Sequence, residues 1–367
     1  MTAALPWTRP RIWTILPGAV YPHTECTGNY LVCTTAGIGD ALMAVPLLRV
    51  LKEARPQSRT TVLANPVNAA LLKNQPAVDD IVVFPHQPTA VRLIALAWRL
   101  RRRHFVAAFG AIPSDLLSLS LLLKLSGVPR RIKQRLTAGQ GIQGLESWFT
   151  DLLESGPEKH KVFANLDLLI PIGISPAEIP RQRAIEMLAL AIPADELQGT
   201  LARFPRSPLR PLRIGMHAGC KKGWEFKRWD PGRFAALADQ MIEKGKAEVF
   251  WFGDASEEEL VRSIMLRMRE PSTSVAGVLG IHEAAALIST CNLFVSNDSG
   301  PMHLATAVGV RTIALYNSDN ARANPARTGP LGDSHVILKK PNLQDITVAE
   351  VAEAALHLST AAKDSPG

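Results

Sequence analysis

From residue 30 onward the chain alternates short apolar runs with longer stretches in which apolar positions recur every three or four residues. The runs at 30–34, 60–64, 80–84 and 105–111 read as strands. The stretches 41–54, 68–73, 89–102 and 115–125 read as helices. Short, largely unbroken apolar strands alternating with helices imply a parallel sheet covered on both faces. Helical pattern at 148–153 and 161–170 closes this half.

Between 171 and 211 the composition shifts to proline, arginine and alanine, including Pro205-Arg206-Ser207-Pro208-Leu209-Arg210-Pro211. Such a stretch marks a boundary. The alternation then restarts, with strands predicted at 213–217, 248–252, 293–296 and 312–316. Helices are predicted at 231–244, 256–269, 282–290, 302–308 and 348–358. The expected organisation is an irregular extension over 1–28, a first Rossmann-like domain over 29–175 and an interdomain region over 176–211. A second Rossmann-like domain follows over 212–345, then a helix and tail over 346–367. Two halves of one architecture make the cleft between them the default place for a site.

Charge narrows the class of partner. With 367 residues and a net charge of +8, the chain favours something anionic: nucleic acid, phospholipid headgroups or a phosphorylated substrate. It carries no helix-turn-helix, RNP signature or aromatic-interleaved basic repeat, so nucleic acid is not expected. Cys26, Cys33, Cys220 and Cys291 are scattered with no C-x-x-C pair, which indicates neither a zinc site nor a disulfide framework and fits a reduced, cytoplasmic setting. No apolar run has spanning length, and the proline-broken first thirty residues lack signal-peptide order. Without H-x-x-x-H, H-E-x-x-H or D-x-D arrangements, no metal and no cofactor are expected.

Three loops carry candidate chemistry. Thr34-Thr35-Ala36-Gly37-Ile38-Gly39-Asp40 joins the first strand to the first helix, and Gly37 and Gly39 let a ligand approach the main chain closely. It is not a dinucleotide fingerprint: Leu42 stands where the third glycine belongs, and the second strand ends in Asn65-Pro66 without a ribose-binding acid. Asp40 is open to two readings, a helix N-terminal charge or cap, and a general base at the end of the first strand. The loop from Ala218 to Pro231 holds Lys221, Lys222, Lys227 and Arg228, either a solvated run or half of a pyrophosphate clamp. The third, Asn297-Asp298-Ser299-Gly300-Pro301-Met302-His303-Leu304, delivers a strand to a helix. Pro301 suits the first helical position, Ser299 or Asp298 can cap, and the free amides offer a phosphate receptor. His217, at a strand end, reads as a structural or ligand-orienting residue, and His303 as half-buried.

Together these residues resemble glycosyltransferase family 9, the ADP-heptose:lipopolysaccharide heptosyltransferases. The matching pieces are Gly37-Ile38-Gly39-Asp40 with Pro46-Leu47-Leu48, the run Lys227-Arg228-Trp229-Asp230-Pro231-Gly232-Arg233-Phe234, and Asn297 to Leu304. Their order spans roughly residues 31–316, and Glu158-Lys159-His160 to Asn165-Leu166 resembles a weaker signature. The resemblance implies an α/β GT-B fold, two Rossmann-like domains with parallel sheets facing an interdomain cleft and a C-terminal helix crossing back to the first. It implies inverting, metal-independent transfer of a heptose-like sugar from a nucleotide-sugar donor to lipopolysaccharide core or a related phosphorylated glycolipid or glycan. Asp40 would be the base, Lys227 would hold the donor phosphates, and Ser299, Gly300, Pro301 and Met302 would bind the leaving diphosphate. Asp298 would meet donor hydroxyls, with His217 and His303 beside the donor and Gly37 and Gly39 on the acceptor side. The chain departs from the family at Asn317-Ser318-Asp319-Asn320, usually Gly-Pro-Thr-Asp, and at Ala218-Gly219-Cys220, usually Pro-Gly-Ala. The alternatives are a nucleotide-sugar epimerase on the same fold and a non-catalytic nucleotide-binding protein.

Two basic clusters remain, Trp98-Arg99-Leu100-Arg101-Arg102-Arg103-His104-Phe105 and Arg130-Arg131-Ile132-Lys133-Gln134-Arg135. Each is either a solvated face or a contact to anionic lipid, the latter placing the protein peripherally on the inner face of the cytoplasmic membrane.

Overall fold

A computed structural model describes residues 11–13, 28–112, 117–135, 145–319 and 323–360. The chain forms two compact units, Met1–Leu188 and Ala189–Gly367.

The first unit is built on seven parallel strands: β1 (Arg11–Trp13), β2 (Asn29–Thr34), β3 (Arg59–Ala64), β4 (Asp80–Val83), β5 (Phe105–Gly110), β6 (Arg130–Gln134) and β7 (Asp151–Leu153). They lie in the order β1-β7-β6-β5-β2-β3-β4. Apart from β1 at the edge, chain order therefore runs outward from β2 in one direction and from β5 in the other, so the connections diverge between them. Loops at the carboxyl ends of such a pair open onto a crevice that can receive a ligand. The residues after β2 are the glycine loop that leads to Asp40.

The second unit repeats the plan with six parallel strands: β8 (Leu212–His217), β9 (Ala247–Trp251), β10 (Thr273–Ser274), β11 (Leu293–Asn297), β12 (Thr312–Asn317) and β13 (Val336–Lys340). Their order is β10-β9-β8-β11-β12-β13. The switch falls between β8 and β11, where Ser296 sits in register with His217. Trp229, Phe234 and Trp251 form an edge-to-face chain beneath, with ring centroids 5.1 and 6.2 Å apart. The Trp229 indole N–H donates to the Ile346 carbonyl at 2.9 Å, and the Asp230 carboxylate caps helix Pro231–Gly245 by accepting from Arg233 N at 3.0 Å. In the Lys227–Phe234 motif, then, Trp229, Asp230, Pro231 and Phe234 are scaffolding that aims Lys227.

Several expectations change. Arg11–Trp13, expected within an irregular extension, pairs in parallel with β7, while residues 1–10 and 14–27 lie outside the described residues. Residues 148–153, expected to be helical, end a 3-10 turn (Leu145–Trp148) and form β7. The basic run 130–135 is an interior strand, not a lipid-facing patch. Arg130 Nη2 donates to the buried Asp151 at 2.9 Å, and Arg131 Nε donates to the Trp148 carbonyl at 2.6 Å. Lys133 is 1% exposed, with its ammonium 5.0 Å from the Phe149 ring centre, and Arg135 pairs with Glu154 at 2.9 Å. Helix Val348–Thr360 places Val351, Ala352, Ala355 and Leu358 in the second unit's core, where the resemblance implied a return to the first. Helix Ala194–Arg203, from the proline-rich region, packs within the second unit against helix Ile281–Ser289.

Candidate active site

In the second unit the loop after β8 and the turn after β11 are stapled by one buried amide. Asn297 donates to the Ala218 carbonyl at 2.9 Å and to that of Gly219 at 3.3 Å, and its Oδ1 accepts from Trp229 N at 3.1 Å. Lys227 is thereby delivered to the third loop, where its ammonium pairs with the Asp298 carboxylate and lies 4.7 Å from the Trp224 ring centre. Both side chains of the pair are largely buried, at 11% and 6% exposure.

Helix Gly300–Ala307 starts at the same place. Ser299 sits at its N-cap with extended backbone, yet its hydroxyl makes no cap hydrogen bond. The first-turn amides thus keep their outward donors, and the helix dipole favours an anion there. Pro301 has no N–H, so its part is conformational: it fixes φ at the helix start. Met302 is fully buried against Tyr316 and serves the core, which removes its side chain from the expected ligand contacts and leaves its amide. His303 is largely buried within the first turn.

The Ser299 hydroxyl is instead 2.9 Å from His217 Nδ1, and His217 Nε2 is 3.1 Å from Glu257. Burial alone would raise the Glu257 carboxyl. The His217 hydrogen bond and charge, the Asp254 amide and Arg228 outweigh it and hold Glu257 below the usual carboxylate range. Glu257 meets one side of the His217 ring at Nε2, and the Ser299 hydroxyl, which donates to the Asn297 carbonyl at 3.1 Å, meets the other at Nδ1. His217 is thus held between Ser299 and Glu257, a residue the sequence reading missed. Gly219 makes room for this arrangement, since a Cβ there would lie 1.7 Å from Glu257 Oε1. Gly219→Ala is expected to dislodge Glu257, lower stability by about 1–3 kcal/mol through overpacking, and weaken nucleotide binding. Thermal unfolding with and without ADP measures both effects, and unchanged values would contradict the arrangement.

In the first unit Asp40 is the third residue of helix Ile38–Leu42. One carboxylate oxygen accepts from Gly37 N at 3.3 Å, and the other accepts from Lys161 Nζ at 2.6 Å. Both readings of Asp40 are thus physically available, since it caps the helix start and is 22% exposed in its side chain. Gly37 has φ −70° and ψ 168°, open to any residue, so its backbone requires no glycine. The loop is pinned by asparagines: Asn65 donates to the Ala36 carbonyl at 2.7 Å and Asn68 to that of Thr34 at 2.7 Å. Helix Lys161–Asp167 is fastened by Asn165, which accepts from Ile112 N at 3.0 Å and donates to the Met43 carbonyl at 3.1 Å. Lys161 was not singled out from sequence, although it lies inside the Glu158–Leu166 signature. Among the described residues there is no group of three metal-ligating side chains.

The sequence model of glycosyltransferase family 9 (heptosyltransferase) matches residues 116–354. The chain belongs to that family. Lipooligosaccharide heptosyltransferase 2 of Haemophilus ducreyi is 28% identical over 327 residues, covering 84% of this chain and 88% of that protein. Lipopolysaccharide heptosyltransferase 2 of Escherichia coli K12 is 27% identical over 316 residues, with 84% and 87% coverage. A solved structure of E. coli ADP-heptose lps heptosyltransferase II superposes with a TM-score of 0.76 at 25% identity, over 91% of this chain and 99% of the other. A family 9 glycosyltransferase from Veillonella parvula gives a TM-score of 0.77 at 21% identity over 92% and 99%, a likeness of fold. The chain is a glycosyltransferase with a two-domain, GT-B-like α/β fold.

Proposed function

We propose that this glycosyltransferase moves a heptose from ADP-heptose to lipopolysaccharide core or a related phosphorylated glycan, with inversion and without a metal in the transfer step. The acceptor hydroxyl loses its proton to Asp40 as its oxygen bonds to the anomeric carbon from the face opposite the leaving group. The bond from that carbon to the diphosphate oxygen breaks, and ADP departs with the negative charge. Lys227 and the amides of Gly300, Met302 and His303 stabilise that charge, while Asp298 and the His217-held Ser299 orient the donor. One observation carries the reading: a buried lysine and an uncapped helix start meet at the switch point of a sheet whose relatives include ADP-heptose enzymes.

Thermal unfolding across ADP-, UDP-, GDP- and CDP-sugars tests it. A ligand present at about a hundredfold its Kd stabilises by about 2.7 kcal/mol, so ADP-heptose is expected to raise Tm clearly above the other nucleotides. Turnover with EDTA present is expected to consume donor only when acceptor is added. Preference for another nucleotide, or conversion of donor alone as by an epimerase, would overturn the proposal.

A further inference from the structure

The positive charge of this chain is concentrated in one segment. Of its 41 basic and 33 acidic residues, residues 81–145 hold ten and one, which leaves 31 and 32 elsewhere. The fold sorts most of those ten. Arg130, Arg131, Lys133 and Arg135 are spent on β6, and Arg103 is paired with Asp80. Arg92, Arg99, Arg101 and Arg102, on helix Ala90–Arg101 or just after it, are exposed and form no ion pair among the described residues.

The same helix has a second unusual property. Leu93, Ala97 and Leu100 are buried and pack it into the core, as its position on a parallel sheet requires. Its outward face should then be polar, but Val91 is 76%, Ile94 61% and Trp98 57% exposed. Spaced three and four residues apart, they form one stripe. The neighbouring helix Leu117–Leu125 adds Leu117 and Leu125, themselves 50% and 43% exposed. The Arg102 guanidinium lies 3.5 Å from the Trp98 ring centre, leaving an indole and its cation together at the surface.

We propose that this face lies on an anionic lipid bilayer. Val91, Ile94 and Trp98 enter the interfacial layer, and the four arginines meet lipid phosphates. An apolar stripe with a cationic rim and an interfacial tryptophan suits that surface. Charge argues against a second copy of the chain, because apposed faces would bring four guanidinium groups against four. The apolar centre argues against a polyanion held by charge alone. The assignment rests on the proposed function, in that an acceptor anchored in lipid gives the enzyme reason to sit there.

The test uses the full chain with sucrose-loaded vesicles of phosphatidylcholine, with and without 30% phosphatidylglycerol. Sedimentation is expected only with the anionic vesicles and is lost in high salt. Replacing Arg92, Arg99, Arg101 and Arg102 together by glutamine is expected to weaken binding on the order of a thousandfold at low ionic strength. The triple change Val91→Ser, Ile94→Ser, Trp98→Ser is expected to weaken it at least tenfold. Both variants should keep their Tm and their transfer rate on a deacylated, water-soluble acceptor. Equal binding to neutral vesicles, unchanged binding by both variants, or a dimer dispersed by the serine substitutions would overturn the assignment. Failure of the glycosyl-transfer reading would show separately, as absent turnover on the soluble acceptor.

Discussion

Asp40→Asn is expected to lower kcat by about 10²–10⁴-fold, with ADP affinity unchanged. The substitution isolates charge from shape. Asparagine can still accept from Gly37 N through its carbonyl oxygen, so the helix start survives. Its amide cannot take the proton that a carboxylate takes from a hydroxyl, and its ion pair with Lys161 is lost. The competing role for Asp40 is scaffolding, and its size can be bounded. A helix cap contributes about 1 kcal/mol, and a partly exposed ion pair such as Asp40–Lys161 adds about 1 kcal/mol or less. A scaffolding residue would therefore show a lowered Tm with kcat within a few fold of the original enzyme. Single-turnover transfer on a soluble acceptor, beside calorimetric ADP titration, separates the two. Full activity in the Asp40→Asn variant would remove Asp40 from the chemistry.

What was legible from sequence follows a physical rule. β2, β5, β8, β9, β11 and β12 are buried on both faces of their sheets, so they appear as largely apolar runs, with the Arg213–Glu248 pair the charged exception in β8 and β9. β6 is just as interior but carries Arg130, Arg131 and Lys133, whose charges are matched by Asp151, by backbone carbonyls and by the Phe149 ring. Only the fold brings those partners near, so the strand reads as a solvated basic run. β1, with three residues, is held by backbone pairing to β7 and leaves almost no side-chain pattern. The site divides the same way. Asp40, Lys227, His217 and Asp298 to Met302 could be read because each follows a strand and opens or precedes a helix. Lys161 lies 121 residues beyond Asp40, and Glu257 lies 40 beyond His217. Neither has a local signature, because their meaning is the residue they touch.

Lys227→Met is expected to reduce kcat/KM by about 10²–10³-fold, the scale on which one preorganised donor to a developing anion acts, and to weaken ADP binding. Methionine keeps the length and the apolar stem beside Trp224, so the loop around Trp229 should hold. Truncation does two things at once. It removes the cation that meets the diphosphate, and it leaves the Asp298 carboxylate, 6% exposed in its side chain, without its ion-pair partner and facing an anionic ligand. The second effect is separable by a double-mutant cycle with Asp298→Asn. If Lys227 acts only by neutralising Asp298, the double variant recovers ADP binding to that of Asp298→Asn alone. If the ammonium itself binds phosphate, the double variant remains weak, and Asp298→Asn by itself binds ADP at least as tightly as the unmodified protein because the lysine no longer has to leave a carboxylate. Lys227→Arg restores charge but not the compact point donor that fits among first-turn amides, so partial recovery of binding with little recovery of kcat is expected. Calorimetric ADP titration of the four cycle members, with kcat/KM on a soluble acceptor, decides the matter. An ADP affinity within threefold of the original in Lys227→Met would place the phosphates elsewhere.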